Sequence, residues 1–227
     1  MRNNTTGLGN TVVGRSANRL AVSGDYNSYY GYEAAYNDSS GRHNVAIGYH
    51  SSYVNDSADF TIAIGTQALY SNTLDSNVAI GFRAGYYANY YPNLPSKEQT
   101  FLGTYAGFGS FVSSKNTAIG FKALMQTSAA GTTTDYNNGG RNTIIGDSAM
   151  AGGWGAFNVG IGAEVMSRSG AVTVRNVAIG DSAMGNSVSP ADNVAVGYKS
   201  LLNVATTLGN TATGAYSGKS LTSGYWN

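Results

Sequence analysis

Along most of this chain a short apolar triplet follows an asparagine and ends at a glycine, and polar residues fill the interval to the next copy. Clear copies are Asn44-Val-Ala-Ile-Gly48, Asn77-Val-Ala-Ile-Gly81, Asn116-Thr-Ala-Ile-Gly120, Asn176-Val-Ala-Ile-Gly180 and Asn193-Val-Ala-Val-Gly197. Aligned on the glycine, twelve copies centre on residues 14, 31, 48, 65, 81, 103, 120, 146, 162, 180, 197 and 214. Most intervals are 16 to 18 residues, with two stretched to 22 and 26. So short a period describes one small unit stacked on copies of itself.

Positions are counted here from that glycine. Position −3 is Thr, Ser, Val or Ile in all twelve copies, and −1 is Val, Ile or Leu in ten, Tyr30 and Thr213 being the exceptions. Between them, −2 is alanine in seven. This alternation predicts a short strand with −3 and −1 on one face and −2 on the other. The small residue at −2 implies that its face meets something closely. Position +3 is Ala or Ser in eleven copies, and +4 is often Leu or Met, as at Leu69, Leu124, Met150, Met166, Met184 and Leu201. The glycine supplies a backbone angle that other residues resist, or a close approach at a bend. Asparagine stands at −4 in ten copies. It can build an amide ladder from turn to turn or bond its own turn backbone.

A period of 17 is too short for helix-pair repeats or a propeller blade. The predicted fold is all-β, a parallel β-solenoid of about twelve turns, read as a single domain over residues 1–227. A hexapeptide β-helix needs an aliphatic signal every six residues. Six and twelve residues after Ile47 stand Tyr53 and Asp59, so that rival fails.

These repeats resemble the head repeats of YadA-type trimeric autotransporter adhesins, whose units carry an Asn-Ser-Val-Ala-Ile-Gly-like core followed by small residues. They are also similar to repeats of bacteriophage tail fibres and related virion proteins. The resemblance spans most of the chain and is specific because it recurs in register. It implies a left-handed β-roll, three of which pack side by side as a homotrimer. The residues agree on one point. Each strand has two apolar strips, aliphatic and alanine, and a lone narrow roll buries only one, so the other needs a partner. Which strip faces the trimer axis stays open.

YadA-type adhesins also carry a signal peptide, a heptad stalk and a membrane anchor, none visible here, and their heads have a shorter period. This favours a bacteriophage virion fibre that contacts the host surface, extracellular as part of the virion. If the chain is a fragment, a bacterial surface adhesin head returns. A purely structural virion or filament component that docks a neighbouring protein is the third reading. Expected partners are further copies of the chain, other fibre proteins, and a host polysaccharide or outer-membrane protein.

Composition narrows the chemistry. Charged residues make up 11% and the formal net charge is +1, which speaks against a nucleic-acid surface. No segment approaches the ~20 apolar residues of a membrane span. Cysteine is absent, so disulfides and thiolate metal sites are excluded. The twelve acidic residues are scattered, and Asp147 and Asp181 share position +1, as repeat residues on one exposed row rather than an acid–base pair. His43 and His50 flank one strand and are expected to be exposed turn residues. We therefore expect no enzyme, metal or cofactor.

Recognition is expected at the two stretched periods, 82–100 and 125–141, because insertions in a solenoid leave the stack as loops. Tyr86, Tyr87, Tyr90 and Tyr91 fall in the first and Tyr136 in the second. Trp154 lies in a glycine-rich turn. Tyrosine and tryptophan give rigid, amphipathic contact surface at small entropic cost. The bland alternative is padding of the trimer surface. Residues 215–227, with Tyr225 and Trp226, are expected to cap the open end. The N-terminal cluster Tyr26, Tyr29, Tyr30, Tyr32 and Tyr36 is read as a terminal repeat with altered packing.

Overall fold

Three consecutive residues per turn, −3 to −1, form each of twelve short strands in a computed structural model of the chain. The structure describes residues 6–88, 97–109, 114–126, 140–168, 172–221 and 224. The described residues contain fourteen strands and no helix. The protein is a parallel β-solenoid.

Two compact units divide the chain, Met1–Ser114 and Lys115–Asn227. In the first, β1 (Thr11–Val13), β2 (Ser28–Tyr30), β3 (Val45–Ile47), β4 (Ile62–Ile64), β5 (Val78–Ile80) and β6 (Thr100–Leu102) pair in that order, all parallel. In the second, β7 (Thr117–Ile119), β8 (Thr143–Ile145), β10 (Val159–Ile161), β12 (Val177–Ile179), β13 (Val194–Val196) and β14 (Thr211–Thr213) do the same. Register is kept even across the stretched periods: Val78 faces Thr100 and Thr117 faces Thr143. Chain length between rungs is free to vary because the ladder is set by the rung triplet, not by the connection. A minor sheet in the second unit pairs β9 (Trp154–Ala156) with β11 (Val172–Val174).

The structure resolves which apolar strip is inside. The −2 residues Ala46, Ala63, Ala79, Ala118, Ala178 and Ala195 are fully buried. The −3 row is half-buried through most of its length, and much of the −1 row is exposed, with Ile47 at 39% and Leu102 at 42%. The interior is filled by −2, +3 and +4 side chains: Ala68 and Leu69 in one turn, Ala149 and Met150 in another, all buried. Aliphatic residues with alternate spacing thus stand outward, and alanine inward, where it shares the bore with larger +4 side chains such as Leu69.

The rung glycine is required on two grounds. Gly48 has φ of 131°, which L-residues rarely adopt. A Cβ there would stand 2.7 Å from the carbonyl carbon and oxygen of Gly65, its neighbour in the next turn. Three further positions per turn, −5, +2 and +4, lie in the left-handed region even where they are not glycine. His43, His50 and Ser52 do so in one turn, at φ 57°, 50°-range values of 52° and 50° respectively.

The −4 asparagines form a ladder, chiefly from side chain to backbone. The Oδ1 of Asn27 accepts the backbone N–H of Asn44 at 2.8 Å, while its Nδ2 donates to the Gly41 carbonyl at 2.7 Å. In the second unit a direct amide–amide bond is added, as from Asn193 Nδ2 to Asn176 Oδ1 at 3.1 Å. Asn193 Nδ2 also donates within its own turn, to the Ala191 carbonyl at 2.8 Å, so both expected uses of this residue are made there. Thr61 substitutes for asparagine, sending its N–H and Oγ1 to Asn44 Oδ1, each at 2.8 Å.

Candidate functional site

Positions +1, +2 and +5 follow the rung glycine, and in the first unit they carry three adjacent rows of aromatic and basic side chains. At +5 the rings of Tyr36, Tyr53, Tyr70, Tyr86 and Phe108 stack in succession. Their centroids are 5.1, 5.2, 4.8 and 5.4 Å apart, and interplanar angles run from 4° to 19°. Turn stacking brings equivalent residues to the spacing of neighbouring strands, about 4.8 Å, which suits offset-stacked rings. Arg19 closes this row, its Nη1 donating to the Tyr36 hydroxyl at 2.9 Å and its guanidinium lying 5.7 Å from the ring centroid.

At +1, Tyr32 stacks on Tyr49 at 5.5 Å, with Arg15 over Tyr32. His50, at +2, joins the rows. Its ring centroid is 3.8 Å from that of Tyr49 and 4.7 Å from that of Tyr53, and its Nε2 lies 2.8 Å from Glu33 Oε2. Arg83, also at +2, spans Phe82 and Tyr86 at 5.2 and 5.4 Å, with its Nε donating to Gln67 Oε1 at 2.7 Å. A separate short stack, Tyr26–His43–Phe60, runs along −5.

Several sequence expectations change place. Tyr86 and Tyr87 are not on a loop leaving the stack: residues 82–88 continue the regular turn, and Ala88 is buried. Tyr86 is held by Tyr70 and Phe108, with Tyr87 edge-on to it at 4.5 Å. Tyr90, Tyr91 and Tyr136 lie outside the described residues, as do Tyr225 and Trp226. Trp154 belongs to β9 rather than to a turn, paired with Val172, and its side chain is outside what is described. The N-terminal strands keep the common register, β1, β2 and β3 being in line, and the altered packing there is confined to Tyr29, which fills the core place of alanine. His43 is exposed as expected, whereas His50 is caged by tyrosines and half-buried. The missed signal was positional: the tyrosines recur at fixed offsets from the glycine, well outside the stretched period.

Tyr29 takes the −2 place of alanine and is fully buried. Its hydroxyl donates to Asp38, whose other oxygen accepts the Gly41 N–H at 2.7 Å. Burial pushes the Asp38 carboxyl up to about 6, despite these bonds, and burial beside that carboxylate holds the Tyr29 phenol above its ordinary range. This is a sealed packing pair, with no route for substrate.

Other polar groups assemble no reaction centre among the described residues. Asp147 and Asp181 are exposed, and each accepts a bond from the serine that follows it. An open depression of 240 Å³ in the second unit is lined by Glu164, Ser182, Asn186 and Lys199 among others. No group of three or more metal-ligating side chains occurs among the described residues, and no helix there is long and apolar enough to cross a membrane.

Fold and rows together define a repeat scaffold that displays side chains in straight lines. No family model, curated protein or solved structure matches the chain.

Proposed function

We propose that the chain is a non-enzymatic fibre or adhesin segment that works as a homotrimer and contacts a cell surface, as part of a bacteriophage virion. The outward aliphatic row carries this reading. Val13, Ile47, Ile80 and Leu102 in the first unit, and Ile161 and Ile179 in the second, are 37% to 55% exposed. Long exposed apolar rows mark association surfaces, and a repeated, self-similar row suits copies of the same chain. In this reading the aliphatic strip faces the trimer axis, and its exposure supports that placement, with alanine lining each roll. The left-handed β-roll and the virion setting rest on the resemblance of the Asn-Val-Ala-Ile-Gly repeats. A bacterial adhesin head is the alternative on the same residues.

Light scattering on the purified chain tests the assembly. A mass three times 23.5 kDa is expected, and Ile47→Asp with Ile179→Asp is expected to shift it to the monomer. A monodisperse monomer for the unmodified chain overturns the trimer. Capture of surface polysaccharide or intact bacteria by the trimer tests the adhesin reading.

A further inference from the structure

The two units share one scaffold but not one surface, and this makes each a control for the other. Rows +1, +2 and +5 of the first unit hold nine Tyr or Phe residues, three arginines and a single acid, Glu33. The same rows of the second unit hold three aromatics, Phe121, Tyr198 and Tyr216, with three lysines balanced by Asp147, Asp181 and Glu164. There, +5 is Met125, Ala151, Ser167, Gly185, Leu202 and Lys219, yet the strands keep the same register. The fold therefore does not need the stack.

The stack also limits what it can bind. Ring faces in the +5 row cover one another, so what stays accessible is the ring rim and the hydroxyls. Aromatic rims are the electropositive part of the quadrupole. Arg15, Arg19 and Arg83 lie over ring faces within this surface, and the one carboxylate is paired with His50. Three arginines against one glutamate leave the surface with an excess of positive charge. One phenol hydroxyl is carried at every rung from Tyr36 to Tyr86, on rings whose centroids are 4.8 to 5.2 Å apart, close to the length of one sugar in an extended polysaccharide.

We propose that the +1, +2 and +5 rows of the first unit bind a linear, carboxylate-bearing polysaccharide lying along the stack, with Arg19 and Arg83 pairing its carboxylates and the tyrosine hydroxyls its sugar oxygens. This rests on the adhesin reading above and names the class of surface it contacts. The flat row of hydroxyls selects an extended chain, and the arginines select an acidic one.

The test uses the full chain in its native assembly, immobilised and titrated with polygalacturonate and with the same polymer fully methyl-esterified, at low and at raised salt. The acid form is expected to bind and the ester not, with binding weakened by salt. Arg83→Gln is expected to weaken binding by about tenfold or more, and Tyr53→Ser with Tyr70→Ser further, while Tyr198→Ser in the second unit leaves it unchanged. Serine at +5 already occurs at Ser167, and an unchanged melting temperature verifies that the variants fold. Equal binding of both polymers, no binding of either, or full binding by the variants overturns the proposal. If the trimer captures bacteria or other glycans but not polygalacturonate, the ladder proposal falls and the adhesin reading stands. Absence of all surface binding overturns both.

Discussion

Phe101 occupies the space that Gly107 leaves empty: a Cβ on Gly107 would stand 2.3 Å from two ring carbons of Phe101. Gly85, in the preceding turn, yields to the same ring, with its Cβ position 2.8 Å from Phe101 Cδ2. In four turns alanine at −2 is matched by Leu or Met at +4, as Ala63 with Leu69, Ala118 with Leu124, Ala178 with Met184 and Ala195 with Leu201. In these turns, and around Phe101 and Gly107, −2 and +4 share one space, a large side chain at one facing a small one at the other.

Gly107→Ala is accordingly expected to destabilise the fold by overpacking, by about 1–3 kcal/mol. Combining Phe101→Ala with Gly107→Leu restores the common pairing and is expected to recover much of the loss seen in either single variant. A double-mutant cycle in denaturant measures this coupling. Additive effects would show that the two sites do not share one volume.

Rung glycines differ in what surrounds them. Gly48→Ala meets the Gly65 backbone, whereas a Cβ on Gly214 meets nothing within 4 Å. Both positions carry a φ that alanine resists, 131° and 111°. Gly48→Ala is expected to lower the melting temperature well beyond Gly214→Ala, and equal shifts would leave backbone angle alone as the cause.

The Asn ladder is expected to be worth most where a backbone group depends on it. Asn193 Oδ1 accepts the Asn210 N–H at 2.9 Å, and its Nδ2 donates to the Thr207 carbonyl at 3.2 Å. Asn193→Ala strands these buried groups, at a cost of about 1–3 kcal/mol for each one left unpaired. Asn193→Thr should cost less, because Thr61 already serves at this position. Chemical denaturation of both variants checks the order.

Asp38 makes stability depend on pH. Its carboxyl is pushed up to about 6 in the folded chain, against an ordinary 3.8. The folded state therefore holds a proton that the unfolded chain has lost. The contribution to stability is full below about pH 4 and declines as pH rises through about 6. Asp38→Asn keeps the acceptor for Gly41, as Asn55 does for Ala58 at the equivalent place in the next turn. It is expected to remove the decline between these pH values. Melting curves from pH 4 to pH 7 that keep the wild-type slope in the variant would exclude Asp38 as its source.

Much of the architecture was legible because the rung is a local signal. Strand residues, glycine and asparagine fall at fixed offsets, and each is demanded by its own backbone geometry. Tyr86 shows where such reading stopped. Counted along the chain it opens an insertion, but counted from Gly81 it is the +5 residue of an ordinary turn, and only the second count is physical. His50 makes the same point: nothing within one turn says that its ring meets Tyr49 on one side and Tyr53 on the other.

By itself, then, the sequence determined the period, the strand triplets, the parallel stacking and the place of glycine, since these follow from backbone angles and alternation. The tertiary structure alone decided that alanine faces the bore and isoleucine the outside, and that rows +1, +2 and +5 lie side by side. Both depend on how sharply the chain bends after the rung glycine. That bend comes from left-handed residues such as His50 and Ser52, whose side chains give no hint of it.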